Sequence, residues 1–407
     1  ADAVVSRYFR EQRALGPRER ATLAETTYAV LRRKPLFDHL ALGGTGGRER
    51  RLAILGFQAA PDFVQAALTG PEQAWLAACR AVRPADLAPE YRHNLPGWLV
   101  APLREQLGEP GFEHLAAALL EPAPLDLRVN ALNQKREQLA KELKGLGVDS
   151  SPMPYSPWGL RLAGKPALHK LDAFRRGAIE VQDEGSQLLA LLVDPRRGEM
   201  VADFCAGAGG KTLALGAAMR STGRLYAFDV SAHRLEALKP RLARSGLSNV
   251  HPVAIAHERD ERIKRLAGKL DRVLVDAPCS GLGTLRRNPD LKWRQSPQSV
   301  QELVAKQQAI LASAARLLKP GGRLVYATCS LLRAENEDIA LAFGATHSDF
   351  KPLNAAELLT ALKVANAPDL CAPTAEDAGV EPGRFLRLWP HRHATDGFFA
   401  AVWQRAA

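Results

Sequence analysis

Two cysteines stand just beyond two predicted strands, and this placement points to covalent chemistry. The apolar run 273–275 leads into Asp276 and then Cys279, and the run 325–328 leads directly into Cys329. Ligands of open α/β sheets bind at the C-terminal ends of the strands, so both thiols and Asp276 are expected to face one pocket. One cysteine in such a place is most often a buried structural residue, whereas two at neighbouring strand ends favour a function.

A glycine-rich turn earlier in the chain predicts a cofactor site. After the apolar run 200–204 come Cys205, Ala206, Gly207, Ala208, Gly209, Gly210 and Lys211. Glycines let a ligand approach the backbone, and free N–H groups at a helix start attract an anionic group. A Walker phosphate loop would have Gly at position 205, and a dinucleotide turn would have Gly at position 212, where the chain has Cys and Thr. Both of those cofactor classes are therefore disfavoured.

Asp229 narrows the choice of cofactor. It ends the next apolar run and follows Gly207 by 22 residues, close to the ~20 residues at which an acid meets ribose hydroxyl groups in nucleotide-binding folds. A ribose-bearing cofactor with a small anionic group fits both features. S-adenosylmethionine is the common cofactor of that kind.

The cysteines also indicate which atom would accept a methyl group. Enzymes that methylate an exocyclic amino group often have Asp-Pro-Pro-Tyr at this strand end, but the fourth position here is Cys279. The C5 atom of cytosine is too poor a nucleophile unless a thiolate first adds to C6. Asp276 is the candidate acid that would stabilise this adduct near N3, and a second group would assist release. From spacing alone, either cysteine could be the nucleophile.

The spacing of apolar residues divides the chain into three predicted regions, and the third must position these residues. Residues 1–93 show helical spacing of apolar residues, 94–182 mix helices with short strands, and strands alternate with helices over 183–407. Strands are predicted at 125–130, 160–162, 178–182, 200–204, 224–229, 250–256, 271–276 and 322–328. A closing pair at 384–389 and 398–403 predicts an antiparallel hairpin on a parallel sheet. This is the methyltransferase variant of the Rossmann-like α/β fold.

Composition indicates the partners. The net charge of +11 and the pI of 9.6 favour a polyanion such as RNA, although such an excess is also found on solubilising surfaces. Five cysteines without a C-x-x-C pair, and 10 scattered histidines, argue against a disulfide framework and a zinc site. No apolar run approaches the ~18 residues of a membrane span, and the start lacks a secretory pattern. We expect a cytoplasmic, monomeric protein that binds neither a metal nor a membrane.

Four motifs, occurring in order, resemble the Sun/RsmB-type RNA 5-methylcytosine methyltransferases over about residues 120–405. They are Asp-Phe-Cys-Ala-Gly-Ala-Gly-Gly-Lys-Thr at 203–212, Asp-Ala-Pro-Cys-Ser-Gly at 276–281, Arg-Arg-Asn-Pro-Asp to Trp at 286–293, and Ala-Thr-Cys-Ser at 327–330. The resemblance implies that Cys329 is the nucleophile and that Cys279 assists product release.

The resemblance also assigns the surrounding regions. It implies that the residues from Cys205 to Lys211, with Asp229 and Asp276, line the S-adenosylmethionine site. Segment 94–182 resembles the small α+β RNA-binding insert of the family. The all-helical segment 1–93 looks like the NusB-like extension of the bacterial ribosomal RNA members.

The sequence departs from the family at two positions. Ala208 stands where the family commonly has proline, which should loosen the turn but leave its N–H donors in place. His257 stands where the family usually has an Asp that contacts adenine. His257 could hydrogen-bond the adenine amino group, or Glu258 or Asp260 could replace the missing acid.

We therefore expect an S-adenosylmethionine-dependent cytosine-C5 RNA methyltransferase that acts on ribosomal RNA, with tRNA as the alternative substrate. An RNA-binding assembly factor without turnover is the alternative class of protein, and it predicts loss of a thiol or of the glycine turn. Neither loss is seen. Four side chains near the second motif are expected to hold phosphate and stack on a base: Arg286, Arg287, Lys292 and Trp293.

Overall fold

The structure is a computed structural model that describes residues 1–57, 61–374 and 379–407. The chain forms two compact units. The first comprises Ala1–Pro122 together with Thr284–Ser296, and the second comprises Ala123–Gly283 together with Pro297–Ala407. In the part of the chain described, the first unit is helical and the second contains both β-sheets.

Helices and strands are numbered in chain order. The helices are α1 (Asp2–Glu11), α2 (Pro17–Arg32), α3 (Lys34–Ala41), α4 (Arg48–Gly56), α5 (Pro61–Ala67), α6 (Gly70–Ala81), α7 (Pro89–His93), α8 (Gly97–Leu119), α9 (Arg136–Gly145), α10 (Asp172–Arg175), α11 (Glu184–Val193), α12 (Gly210–Ala218), α13 (Ala232–Ser245), α14 (Glu261–Lys264), α15 (Leu291–Arg294), α16 (Pro297–Ala315), α17 (Glu337–Thr346), α18 (Ala355–Ala361), α19 (Ala367–Leu370) and α20 (Pro390–His393). The strands are β1 (Leu125–Val129), β2 (Ser150–Pro152), β3 (Gly159–Leu162), β4 (Ile179–Val181), β5 (Met200–Asp203), β6 (Arg224–Asp229), β7 (Val250–Ala254), β8 (Leu270–Asp276), β9 (Leu318–Thr328), β10 (Phe350–Leu353), β11 (Leu386–Leu388) and β12 (Phe398–Arg405).

Local sequence signals start the helices of the first unit. Helix α2 begins at Pro17, where the missing N–H of proline is tolerated, and the Glu19 carboxylate accepts the N–H of Gly16 at 2.6 Å. Helix α6 follows Thr69, whose N–H is accepted by the carboxylate of Glu72 at 2.9 Å. The helical spacing predicted for the N-terminal region agrees with the helices of the described residues.

A segment distant in sequence completes the helical unit. We call residues 284–296 the strap. Lys292 Nζ donates to the carbonyl oxygen of Arg32 at 2.8 Å, and Trp293 Nε1 donates to that of Leu31 at 3.0 Å. These carbonyls belong to the last turn of α2, where helical oxygens lack partners within the helix. The strap therefore caps the C-terminus of α2.

The small sheet of the second unit is antiparallel, with strand order β2-β3-β1-β4. Its buried side chains include Leu127, Leu160 and Ile179 from the strands, and they pack against Leu139 and Leu143 of α9. Strands β1, β3 and β4 confirm the three short strands predicted here, whereas β2 was not predicted.

The large sheet has the order β10-β12-β9-β8-β5-β6-β7, and β11 pairs with β12. Strands β5 to β9 pair in parallel, and β12 runs antiparallel to β9, β10 and β11. The predicted strands of this region and the closing hairpin are confirmed, and with them the Rossmann-like α/β fold. Strand β10 was not predicted.

The sheet is covered by helices, as a parallel sheet requires. In α11 every residue except Ser186 is buried, which explains the continuous apolar run over its last six residues, 188–193. Pairing of β8 with β9 places Asp276 opposite Ala327. The two strands therefore end at the same edge of the sheet, and the loops that carry the two cysteines begin there.

Candidate active site

The structure brings the two predicted cysteines into contact. Cys329 follows the last residue of β9, and Cys279 lies three residues beyond the end of β8. Their Sγ atoms are 3.4 Å apart, and the N–H of Cys329 donates to Sγ of Cys279 at 3.3 Å. Both thiols are partly exposed. A reacting atom can therefore approach both.

The environment treats the two sulfurs differently. The hydrogen bond with Cys329, and then burial, raise the pKa of the Cys279 thiol well above its ordinary value. Since Cys279 holds its proton, its S–H can donate to Cys329. The pair therefore places an S–H donor at Cys279 in contact with Sγ of Cys329.

Lys211 and Asp276 form an ion pair at the same edge of the sheet. Lys211 extends from the first turn of α12, and its Nζ lies 2.7 Å from Oδ2 of Asp276. Burial alone would lower the pKa of Lys211, but the charge and hydrogen bond of Asp276, and the charge of Cys329, raise it. The ammonium is therefore kept protonated close to the thiols.

The predicted glycine turn joins β5 to α12. Gly207 and Gly209 have φ angles of +56° and +85°, which favour glycine. The N–H of Gly207 donates to Oδ2 of Asp229 at 2.8 Å, and the N–H of Ser231 donates to Oδ1 at 2.7 Å. A Cβ at Gly209 would lie 2.1 Å from Cδ1 of Leu238, whereas a Cβ at Gly207 would meet nothing within 4 Å. The turn therefore opens outward at Gly207 and is packed at Gly209.

The remaining predicted residues of the turn lie along the same stretch. The N–H of Ala206 donates to the carbonyl oxygen of Phe228 at 2.8 Å, which ties the turn to the end of β6. Gly210 is the first residue of α12. Burial raises the pKa of Cys205 well above its ordinary value, so this third thiol stays protonated.

Asp203 anchors the turn from below, and we did not single it out from the sequence. It ends β5, is buried, and accepts a hydrogen bond from Thr212 Oγ1 at 2.7 Å. Burial raises its pKa to about 7, and the charge of Asp276 adds to this effect. The recognisable signal was its place at the end of the strand that precedes the glycines.

The turn is also held from the side, at the position where the family has proline. Arg241 Nη1 donates to the carbonyl oxygen of Ala208 at 2.5 Å, and its Nη2 lies 2.8 Å from Oε2 of Glu180. Arg244 Nη2 holds the other carboxylate oxygen of Glu180 at 2.6 Å. Glu180 belongs to β4 of the small sheet. This chain of contacts restrains the turn that Ala208 was expected to loosen.

His257 lies apart from these contacts. It is exposed in the loop after β7, and its Nδ1 accepts the N–H of Arg259 at 3.1 Å. Asp260 caps α14, where its carboxylate accepts the N–H groups of Ala256 and Arg262, both at 2.9 Å. Val230, which follows Asp229 directly, is a better candidate than His257 for contact with an aromatic ring of a ligand. Its side chain is 57% exposed and presents an apolar surface next to the Asp229 carboxylate.

The strap side chains differ from their expected role in RNA binding. Lys292 is 2% exposed, and burial lowers its pKa to about 7. The indole N–H of Trp293, which is the one donor of this side chain, is bonded to the Leu31 carbonyl oxygen of α2. Arg286 supplies its carbonyl oxygen to Arg32 Nη2 at 2.8 Å. These contacts make the strap a structural part of the helical unit, and the prediction that Lys292 grips a phosphate is wrong.

Among the described residues, no helix is long and apolar enough to cross a membrane. Nor do three or more His, Cys, Asp or Glu side chains gather there in a way that could hold a metal ion.

Comparison with known proteins identifies the family. Residues 190–404 match the family described as 16S rRNA methyltransferase RsmB/F, and residues 95–169 match a ferredoxin-like domain of RsmF/B-like methyltransferases. The probable ribosomal RNA small subunit methyltransferase B of Synechocystis sp. is 35% identical over 316 residues, which cover 77% of this chain and 68% of that protein. The chain spans about two thirds of the length of the curated relatives it matches.

Solved structures share the architecture. The crystal structure of PH0851 is similar over 98% of this chain and 93% of that chain, with a TM-score of 0.77 and 28% identity. A methyltransferase homologue from Pyrococcus horikoshii is similar over 78% of this chain and 100% of that chain, with a TM-score of 0.66 and 30% identity. The sheet order and the glycine turn define an S-adenosylmethionine-dependent methyltransferase fold. Within that class, the chain belongs to the 16S rRNA methyltransferase RsmB/F family.

Proposed function

We propose that this protein methylates the C5 atom of a cytosine in ribosomal RNA, with S-adenosylmethionine as the methyl donor. The observation that carries the proposal is the pair of thiols 3.4 Å apart at adjacent strand ends. The ion pair between Lys211 and Asp276 lies at the same edge. Methylation of an oxygen or an exocyclic nitrogen needs no nucleophilic sulfur, whereas carbon methylation of a pyrimidine does.

The glycine turn and Asp229 fit the proposed cofactor. The open side of Gly207 lets a ligand approach the backbone, and the Asp229 carboxylate can accept hydrogen bonds from ribose hydroxyl groups. The exposed apolar side chain of Val230 suits one face of the adenine ring. When bound, S-adenosylmethionine supplies an electrophilic methyl group.

Lys211 and Asp276 are suited to hold the polar edge of the cytosine. A carboxyl group can accept a hydrogen bond from the exocyclic amino group or share a proton with N3, and the ammonium can donate to the O2 carbonyl. As C6 takes up the sulfur, negative charge develops on the ring between N3 and O2. The Lys211 ammonium stabilises this charge, and Asp276 holds that ammonium in place at 2.7 Å.

Cys329 is the proposed nucleophile. Its thiolate forms a bond to C6, the electron pair of the C5–C6 double bond moves to C5, and C5 becomes able to accept the methyl group. The S–H of Cys279 contacts this sulfur, and the charge of Lys211 interacts with it. The raised pKa of Cys279 disfavours its thiolate and so makes it a poor nucleophile.

Cys279 is the proposed helper in product release. After methylation C5 carries both a methyl group and a proton. Loss of that proton restores the C5–C6 double bond and expels Cys329 as a thiolate. Cys279 is in contact with the leaving sulfur; by giving its own proton to solvent and taking the proton from C5, it can return the pair to its starting state.

Ribosomal RNA is the proposed partner. The excess of 55 Lys and Arg over 44 Asp and Glu suits a polyanion. The relatives in Synechocystis sp. and Bacillus subtilis are named for small-subunit ribosomal RNA. The small antiparallel sheet, which is joined to the cofactor turn through Glu180 and Arg241, is the proposed RNA-binding insert.

Two cysteine variants test the mechanism. With small-subunit ribosomal RNA transcripts and S-adenosylmethionine, Cys279→Ala should accumulate a covalent protein–RNA adduct that survives denaturing electrophoresis. Cys329→Ala should form none. Cys79→Ala removes a thiol from the helical unit and should behave as wild type. Equal adduct formation by the two active-site variants would reject the assigned roles, and the absence of methylation on every RNA tested would reject the proposed function.

A further inference from the structure

Glu335 is a buried acid that the proposed chemistry does not use. It ends a short 3-10 turn, Arg333–Glu335, which begins four residues after Cys329. Acidic residues at this place would suit the first turn of α17, which begins at Glu337. In the structure the side chain is 0% exposed and points back toward the two cysteine loops.

The carboxylate of Glu335 bridges these loops. Its Oε1 accepts the N–H of Ser280 at 2.8 Å and Nε2 of Gln307 at 3.0 Å. Its Oε2 accepts the hydroxyl groups of Ser280 and Ser330, both at 2.5 Å. Ser280 follows Cys279 directly, and Ser330 follows Cys329 directly. One side chain is thus bonded to both residues that stand next to the thiols.

The bridge is itself held in place. Tyr326 Oη donates to the carbonyl oxygen of Glu335 at 2.6 Å, which fixes the turn on β9. The next residue, Asn336, donates through Nδ2 to the carbonyl oxygen of Ser330 at 3.1 Å. Gln307 also donates to the carbonyl oxygen of Pro278 at 3.0 Å. The acid therefore has one conformation available, and its four donors occupy both oxygens.

We propose that Glu335 is a positioning residue that sets the distance between the two thiols. Its four hydrogen bonds are charge-assisted and buried, so they restrain the loops more strongly than neutral bonds would. The inference rests on the proposed function, in that the separation of Cys279 and Cys329 matters for passing a proton between them. The geometry of the clamp itself stands without that function.

Removing the clamp should impair release of the RNA adduct more than its formation. Formation needs only Cys329, whereas release needs Cys279 within contact of it. A displacement of about 1 Å between positioned groups can slow a step by about a hundredfold. We expect Glu335→Ala to form the adduct at a rate near that of wild type and to resolve it about a hundredfold more slowly.

An arsenical probe measures the thiol pair without RNA or cofactor. Phenylarsine oxide forms two As–S bonds with two thiols, and its oxygen leaves with their two protons as water. Tight binding requires both sulfurs at close range, so a chelating pair binds about a hundredfold or more tightly than one thiol. Wild type should bind phenylarsine oxide as a chelate, and Glu335→Ala should lose about that factor.

Glu337→Gln is the matched control. It alters a buried acid two residues further on, whose Oε1 holds Arg387 Nε at 2.5 Å. This change should lower thermal stability but leave the affinity for phenylarsine oxide unchanged. Ser280→Ala combined with Ser330→Ala removes two donors from the clamp without cutting away the acid, and it should weaken arsenical binding even where Glu335→Ala fails to fold.

The outcomes separate the two proposals. Wild-type arsenical affinity in a folded Glu335→Ala protein, or in the double serine variant, would overturn the clamp. An equal loss of affinity in Glu337→Gln would overturn it too, since general destabilisation would then explain the effect. Weak arsenical binding by the clamp variants supports the clamp even if no RNA is methylated, so failure of the proposed function is recognised independently.

Discussion

Arg241 connects the glycine turn to the small sheet, and replacing Arg241 should weaken the binding of S-adenosylmethionine. Its guanidinium donates to the carbonyl oxygen of Ala208 at 2.5 Å and holds Glu180, which is 4% exposed, at 2.8 Å. The variant Arg241→Ala breaks both contacts. The turn then keeps its hydrogen bonds to Asp229 and to the carbonyl oxygen of Phe228, and Asp203 still holds Thr212.

The size of the effect follows from the contact that is lost. A hydrogen bond that involves one charged partner contributes ~1.5–3 kcal/mol, and partial exposure of this one places it near the lower end. A loss of ~1–2 kcal/mol of turn ordering corresponds to a rise in the dissociation constant of S-adenosylmethionine of about fivefold to thirtyfold, because each ~1.4 kcal/mol is a factor of ten.

Isothermal titration calorimetry measures this constant, and Arg244→Ala provides the control. Arg244 holds the same Glu180 carboxylate at 2.6 Å, but the contacts described for it include none with the turn. Each variant leaves Glu180 with a single arginine, so both should lower the thermal unfolding temperature. Only Arg241→Ala should weaken cofactor binding. A similar loss of affinity in both variants would show that Glu180, and not the bond to Ala208, determines the effect.

Two further predictions concern Asp203 and the strap. The pKa of Asp203 is about 7 in the folded protein, above the ~3.9 of an unfolded Asp. Between these values the folded protein binds one proton more than the unfolded chain. Its stability should therefore fall as pH rises from about 4 to 7, by on the order of 4 kcal/mol from Asp203. Urea unfolding at several pH values measures this dependence, and the free energy of unfolding should change less steeply with pH in Asp203→Asn. Part of the dependence should remain, because burial also raises the pKa of Glu184 to about 7. An unchanged dependence on pH would contradict the assignment to Asp203. Trp293→Phe keeps an aromatic ring but loses the N–H that donates to Leu31. Thermal unfolding should show a loss of about 1 kcal/mol in the free energy of unfolding, and filter binding should show unchanged affinity for ribosomal RNA. Unchanged stability with weakened RNA binding would indicate that Trp293 contacts RNA.

Much of the large sheet could be predicted because its strands carry strong local signals. Strands β5, β6 and β8 contain apolar runs that end in an acid, namely Asp203, Asp229 and Asp276. The strands that were missed, β2 and β10, both contain a proline and both lie at sheet edges. Proline removes a ladder donor and is tolerated at an edge, so such strands have a weak pattern.

The candidate site was predictable in its members but not in their contacts. The order of the motifs predicted that the thiols and the glycine turn belong to one site. It did not predict the ion pair of Lys211 with Asp276, because these residues are 65 apart in sequence. The acidic residues after Cys329 suit a helix start, which concealed the bridge made by Glu335. His257 was chosen because it stands where the family usually has an adenine-contacting Asp, and in the structure its Nδ1 accepts a hydrogen bond from the local backbone.

The strap has a consequence for how the chain folds during synthesis. Domains usually fold from the N-terminus as the polypeptide emerges from the ribosome, but the carbonyls at the end of α2 receive Lys292 and Trp293 from a stretch made more than 250 residues later. The early helices must therefore wait, incompletely capped, while the turn and Cys279 are translated. We expect the first unit to reach its final stability only after residue 296 has emerged, which makes an isolated fragment of residues 1–122 less stable than the same helices in the whole chain.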